Sequence, residues 1–399
     1  MTVSLATDHP PRHRVLFVDH AAVLGGAELS LLDLAIAYRD TSQVLLFDHG
    51  PFGDRLEAAG VKVKVIPASR ALLSVRASSK LSALAAFPAL WTMAQQIRQQ
   101  SQGFDLIHAN SQKAFVAAAI ARWMGAPPVV WHLRDIITAS HFSGLNRRLA
   151  VTLANAQASQ VIVNSNATGA SFVEAGGKPE LVHLVYNGMS AQPFDSIPSD
   201  QSQAIRSEIG VDAETPLVGS FSRLSYWKGQ HVLLDALREL PGVHALIVGK
   251  ALFGEEDYVT QLKALAESPE LAGRVHWVGF RSDIPALMKA CSIVAHTSTE
   301  PEPFGRVIVE GQLAHRPVVA TNAGGAKELV EDSVTGRLVA PNDAIALRAA
   351  LKDLVASPDL AQRLAEQGYH HACSQFSLDT LLTQFHAALS EVVSPAIAA

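Results

Sequence analysis

Two carboxylates and two cations in this chain are spaced for work on a phosphorylated ligand. Glu302 and Glu310 bracket a Phe304-Gly305 turn, Arg306 and the apolar run Val307-Ile308-Val309. The run reads as the first turns of a buried helix, and the residues before it read as a loop. A helix start here sets unpaired N–H groups and a positive dipole end beside Gly305, where no Cβ blocks a close ligand. Glu302 then sits at the mouth, and Glu310, about five residues into the helix at ~1.5 Å per residue, lies roughly 7 Å deeper. Arg223 and Lys228 are five apart beside Gly229, directly after an apolar run at 216–220. A lone pair of cations is ordinarily a solvated surface, but between a strand and a helix it is placed to meet an anion. Charge developing on a departing diphosphate is stabilised by such cations more in the transition state than in the ground state. The set suits a nucleotide-sugar, with one carboxylate for sugar hydroxyls and the other for ribose hydroxyls.

The elements that must position these groups follow from hydrophobic patterning. Residues 14–18 form an apolar run that feeds Gly25-Gly26 and then an amphipathic stretch at 28–39. Strand, glycine turn and helix make a Rossmann-type opening; the glycines either merely turn the chain or present backbone N–H groups to a ligand. Further strands are expected at 44–47, 61–66, 106–109, 129–132 and 161–163, with helical patterns between them. That alternation predicts a parallel sheet covered on both faces, with a crevice at the carboxyl ends of its strands. Asn110 and the Arg134-Asp135 pair end two of those strands and are candidates to face the crevice on the acceptor side. The second half restarts the pattern, with strands at 216–220, 244–248, 275–278, 293–296 and 317–321. The reading is therefore α/β, with two doubly wound units rather than one enlarged sheet. Helices at 360–374 and 378–393 close the chain, and the second has an apolar stripe.

With 399 residues, 48% apolar and 17% charged, the chain is long enough for two α/β domains and is neither disordered nor fibrous. Cys291 and Cys373, its two cysteines, lack metal-ligand spacing and read as buried thiols. The first 14 residues lack the apolar region of a signal peptide, so a cytoplasmic location is expected. The longest nearly uncharged apolar run, 81–94, holds 14 residues and includes Pro88, too short for a span. The net charge of −5 is uneven: 16 basic and 12 acidic residues precede Asn187, and 16 basic and 25 acidic follow. Residues 58–104 hold no Asp or Glu, yet carry Lys62, Lys64, Arg70, Arg76, Lys80 and Arg98 among apolar side chains. That composition fits either a helix lying on an anionic membrane through 62–98, or a domain helix with a solvated basic face. No nucleic-acid partner is indicated.

The carboxylate segment resembles the Glu-x7-Glu element of the GT-B retaining glycosyltransferases of family 4. Arg223-x4-Lys228-Gly229 is similar to that family's diphosphate clamp, Gly324-Gly325-Ala326-Lys327-Glu328 to its Gly-Gly-x-x-Glu loop, and Gly25-Gly26 to its N-terminal glycine loop. Four elements in the right order over nearly the whole length make the resemblance specific. It implies an acceptor-side domain at 1–189, a nucleotide-sugar domain at 190–376, and a segment at 377–399 whose helix returns to the first domain. It implies donor contacts at Gly25, Gly26, Phe304, Gly305, Arg306, Glu310, Gly324 and Gly325. Arg223, Lys228 and Glu302 take catalytic roles, and His132 falls where the family places an active-site histidine; a lone His after a strand is otherwise more often structural. Several relatives dock on membranes through the segment corresponding to 62–98, which favours peripheral attachment at the inner membrane face.

The function implied is a metal-independent, retaining hexosyltransferase that moves sugar from a nucleoside-diphosphate sugar to a glycan or lipid-linked acceptor. No Asp-x-Asp motif is present for a divalent cation, and no cofactor is expected. The implied chemistry is front-side attack, with a donor phosphate oxygen taking the acceptor proton. The rivals are a nucleotide-sugar epimerase or phosphorylase, a nicotinamide-dependent oxidoreductase and a non-catalytic nucleotide-sugar binder. No Gly-x-Gly-x-x-Gly follows either opening strand, which argues against the oxidoreductase. The chain departs from the family in placing His315 where a helix-ending Gly is usual, Gly311 beside Glu310, and Lys250 after Gly249. The donor is therefore left unnamed.

Overall fold

The computed structural model describes residues 13–68, 80–138, 144–252 and 254–394, with the side chains of 80–87 outside that description. The chain divides into two units, Met1–Gly188 with Leu378–Ala399, and Met189–Ser377.

The first unit is built on a seven-stranded parallel sheet. Its strands are β1 (Val15–Asp19), β2 (Ser42–Leu46), β3 (Val63–Val65), β4 (Leu106–Ala109), β5 (Val129–Leu133), β6 (Ala158–Val163) and β7 (Val182–Leu184), in the order 3-2-1-4-5-6-7. β1 lies between β2 and β4, with Val15 opposite both Ser42 and Leu106. Alternate residues face opposite layers. Leu16, Val18, Ile107 and Trp131 pack on one side, and Val15, Phe17, Leu106 and Val130 on the other. Both faces are covered, which is why these strands read as unbroken apolar runs. The helix Leu378–Val393 lies on the second face, where the expected stripe of Leu381, Leu382, Phe385 and Leu389 is buried with Phe17 and Tyr38.

The second unit repeats the plan. β8 (Leu217–Phe221), β9 (His244–Val248), β10 (Val275–Gly279), β11 (Ile293–His296), β12 (Val318–Thr321) and β13 (Arg337–Val339) take the order 10-9-8-11-12-13. In each sheet the order reverses beside the opening strand, between β1 and β4 and between β8 and β11. Ligands of open α/β sheets bind outside such switch points. The helix Arg306–Leu313 starts after Gly305, as the apolar run predicts, and His315 takes the left-handed conformation with φ 54°.

Two strands were not foreseen, β7 and β13, each three residues long at a sheet edge. The basic segment is only partly described. The helix Lys80–Gln100 buries Met93, Ala94 and Ile97 in the first unit's core, and Lys64 bonds to Gln100 at 2.7 Å. Over 88–100 it is thus a domain helix. Arg70, Arg76 and the Lys80 side chain, on which the membrane expectation also rests, lie outside the described residues. No helix among the described residues is long and apolar enough to cross a membrane.

Candidate active site

In the second unit the loop after β8 closes as a short 3-10 turn, Tyr226–Lys228, followed by Gly229 and the helix Gln230–Arg238. Gly229 has φ 67°, and a Cβ there would meet the Thr297 carbonyl oxygen at 2.0 Å, so only glycine allows this approach to the end of β11. The buried Gln230 amide fixes the loop, donating to Ser222 Oγ at 2.8 Å and to the Arg223 carbonyl at 2.9 Å. Lys228 is thereby aimed at Glu302, and the two form an ion pair with 17% and 7% of their side chains exposed. Ser298 Oγ donates to Glu302 Oε1, and His296 Nε2 lies 3.1 Å from the same oxygen. Thr321 Oγ1 is 3.2 Å from His296 Nδ1 on the other side of the ring. Burial alone would raise the Glu302 carboxyl, but the charges of Lys228 and His296 outweigh it and hold it well below the usual carboxylate range. Ser222, Lys228, His296, Ser298, Glu302 and Val307 line one concavity at this switch point.

The Gly324-Gly325 loop is seated on the carboxylate segment. Gly325 N donates to the Glu302 carbonyl at 2.7 Å, and a Cβ on Gly324, at φ 59°, would lie 2.4 Å from that oxygen. These glycines fix the backbone of Glu302. Glu310 sits one turn beyond Arg306, whose Nε is 3.5 Å from its carboxylate. Phe304, expected in the donor site, turns inward: it is 3% exposed and its ring meets Phe376 edge-on at 5.9 Å. Arg223 is half-buried, with its guanidinium 5.2 Å from the centre of the Trp227 ring.

The first unit carries its own polar cluster at the ends of β1, β4 and β5. Asn110 donates to Asp19 Oδ2 at 2.6 Å and accepts from Arg134 Nε at 2.9 Å, while Arg134 Nη1 donates to Asn187 Oδ1 at 2.5 Å. All four residues are at least nine-tenths buried. Burial would lift the Asp19 carboxyl, but contacts from His20, Asn110 and Ser111 keep it below its ordinary value. Gly25 caps the helix Gly26–Ala37, and Glu28 in the first turn is pushed up to about 7 by burial and then by the charge of Asp19. Asp135 is exposed one residue beyond Arg134.

His132 does not join this cluster. It is fully buried, its Nδ1 is 3.0 Å from His108 Nε2, and its ring stacks on Phe385 of the C-terminal helix at 6.4 Å. Burial first, then Arg134 and His108, hold the ring neutral by lowering it well below the ordinary histidine value. In this unit the ring is held between His108 and Phe385. Sequence reasoning missed Ser298, His296, Asp19 and Asn187. The alternation of β5 carried part of the signal, because Trp131 and His132 must face opposite buried layers.

Two Rossmann-like units, the second with a cation–carboxylate pair at its switch point, form the GT-B glycosyltransferase architecture. The chain belongs to the group 1 glycosyltransferases: residues 201–371 match the family described as glycosyl transferases group 1, and residues 25–188 match the glycosyl transferase 4-like domain. It is 42% identical to Anabaena HepE, whose structure in complex with UDP and glucose superposes with a TM-score of 0.86, covering 95% of this chain and 100% of that one. Structures of HepE with UDP-glucose and with UDP superpose equally well, with TM-scores of 0.86 and 0.85. A lipopolysaccharide core biosynthesis glycosyltransferase, LpsE of Rhizobium meliloti, is 32% identical over 176 residues, 44% of this chain and 50% of that protein. A D-inositol 3-phosphate glycosyltransferase of Xylanimonas cellulosilytica is 32% identical over 233 residues, 55% of each. The chain spans about half the length of these curated relatives.

Proposed function

We propose that the protein is a retaining hexosyltransferase, moving sugar from a nucleoside-diphosphate sugar to an acceptor hydroxyl. The observation that carries this reading is the Lys228–Glu302 pair, set with Ser298 and His296 beside the Arg306–Leu313 helix start. Arg223, Lys228 and the helix dipole hold the diphosphate and neutralise the charge it gains on departure. Glu302 takes sugar hydroxyls and Glu310 takes ribose hydroxyls. The Asp19–Asn110–Arg134–Asn187 cluster supplies donors and acceptors for the acceptor. The acceptor hydroxyl attacks on the face the diphosphate leaves from, and a phosphate oxygen takes its proton, so no protein nucleophile is required. Protein cations carry the phosphate charge, so turnover should persist with the divalent cations chelated.

The likeness to HepE, solved with UDP and UDP-glucose, supports a uridine donor. The curated relatives support a glycan, polysaccharide or glycolipid acceptor. The acid-free basic segment supports peripheral attachment to an anionic cytoplasmic membrane face. A thermal-shift panel of nucleotide sugars tests the donor reading, since ligand at ~100 times its dissociation constant adds roughly 2.7 kcal/mol. UDP-glucose should raise Tm, and anomeric NMR of the product should show the donor's configuration. No shift with any nucleotide sugar at millimolar concentration would overturn the assignment.

A further inference from the structure

Trp227 separates the two clamp cations in sequence and touches both in space. Its ring centre lies 4.1 Å from Lys228 Nζ and 5.2 Å from Arg223 Cζ. The backbone beneath the ring is pinned at both residues. Thr299 N and Oγ1 donate to the Trp227 carbonyl at 2.8 and 3.3 Å, and Thr297 Oγ1 donates to the Lys228 carbonyl at 3.0 Å. The indole is half-buried against the cations.

Two like charges on one loop repel, and something must hold both toward the same anion. Glu302 pairs with Lys228 through one carboxylate oxygen, which offsets part of its charge and leaves ammonium N–H donors for a phosphate. An aromatic face attracts a cation through its quadrupole without adding charge. It can hold Lys228 and Arg223 side by side without taking any of their charge from a diphosphate. Turnover would gain most, because the departing diphosphate acquires charge as the glycosidic bond breaks.

We infer that Trp227 is a positioning residue for the diphosphate clamp, an uncharged platform that fixes Arg223 and Lys228 toward a nucleoside diphosphate. This rests on the reading of the second unit as the donor site.

The experiment compares wild type, Trp227→Phe and Trp227→Leu with UDP as the probe. Trp227→Phe keeps an aromatic face and should retain UDP affinity and turnover within about threefold. Trp227→Leu, folded by circular dichroism and Tm, should lose about tenfold in UDP affinity, with kcat falling further than KM rises. The indole emission assigned to Trp227, taken as wild type minus Trp227→Phe, should change when UDP is added. The same difference, measured without nucleotide in the Lys228→Met background, should also shift as the cation leaves the ring. Wild-type UDP binding and turnover in Trp227→Leu would overturn the proposal alone, as would an emission difference indifferent to Lys228→Met. Equal losses in the Phe and Leu variants would overturn the aromatic platform in favour of shape. Failure of the wild type to bind UDP, GDP or ADP would overturn the donor-site reading, and the proposal with it.

Discussion

Lys228 and Glu302 stand 74 residues apart in the chain and meet as a largely buried ion pair, with Ser298 donating to the same carboxylate oxygen. Removing either charge leaves the other without its counter-ion in a poorly hydrated site, which costs about 3–5 kcal/mol for buried pairs. Lys228→Met should therefore lower stability as well as turnover, the latter by ~10²–10³ as for loss of one oriented charge-stabilising group. Arg223→Ala should cost a similar factor in turnover. Because the folded-state Glu302 carboxyl is held low, its contribution is complete above the ordinary carboxylate range and is lost as pH falls through the folded value. Thermal melts of wild type and Glu302→Gln should converge at acid pH. Turnover of Lys228→Met within a few fold of wild type would remove the pair from the mechanism.

Glu310 and Glu302 are separable by ligand. Glu310→Gln should weaken binding of the free nucleoside diphosphate, by ~1.5–3 kcal/mol for each charge-assisted bond lost to ribose. Glu302→Gln should hurt the intact sugar donor more than the nucleotide. Equal UDP affinity in wild type and Glu310→Gln, measured by calorimetry, would cancel the ribose assignment.

Much of this frame can be read from the chain. Central strands such as Val15–Asp19 and Leu217–Phe221 are buried on both faces, so they stand out as apolar runs between glycine loops. The edge strands Val182–Leu184 and Arg337–Val339 are partly solvated and carry His183 and Arg337, which erased that signal. The motif residues Arg223, Lys228, Glu302 and Gly324 were legible because their spacing is local. Ser298 and His296 reach Glu302 from four and six residues away, but a serine and a histidine at the end of an apolar run carry no spacing signature of their own. The packing of His132 was not legible, because its covering ring, Phe385, comes from a helix more than two hundred residues away.

Glu28 should give the first unit an unusual pH response. Its carboxyl rises from an ordinary 4.5 to about 7, through burial and the charge of Asp19, with His20 opposing. The folded state then binds the proton more tightly than the unfolded chain. Stability from this group is full at acid pH and falls as pH rises toward 7, by at most about 3 kcal/mol. Glu28→Gln removes the titration, so its Tm should exceed that of wild type at pH 8 and lose the advantage near pH 5. Parallel Tm–pH curves for the two proteins would refute the assignment.

Membrane attachment can be tested apart from donor binding. Reversing Arg70, Arg76 and Lys80 to Glu removes three attractive charges at ~1 kcal/mol each, so binding to phosphatidylserine vesicles should fall more than a hundredfold. High salt should mimic the change, because the Debye length shortens from ~10 Å at 0.1 M to ~3 Å at 1 M. UDP affinity should hold, since the donor site is assigned to the other unit. A wild-type protein that ignores anionic vesicles at low salt would leave the segment a solvated basic face.

Arg134 offers the sharpest separation of acceptor from donor. Its guanidinium spans two amide oxygens, Asn110 Oδ1 through Nε and Asn187 Oδ1 through Nη1. A lysine ammonium is a point charge on a flexible stem and lacks that planar fork. Arg134→Lys should leave at least one buried amide oxygen poorly satisfied, at about 1–3 kcal/mol of stability. The Asn110 amide would then lose the contact that orients it toward Asp19. Turnover should fall with a raised acceptor KM, while UDP affinity stays at the wild-type value. His132→Phe serves as the comparison, because its neutral ring stacks on Phe385 and bonds only to His108 among the hydrogen bonds described for it. That change should move Tm and leave the acceptor KM alone. An acceptor KM that rises in His132→Phe and not in Arg134→Lys would return the histidine to the sugar and remove the arginine from it.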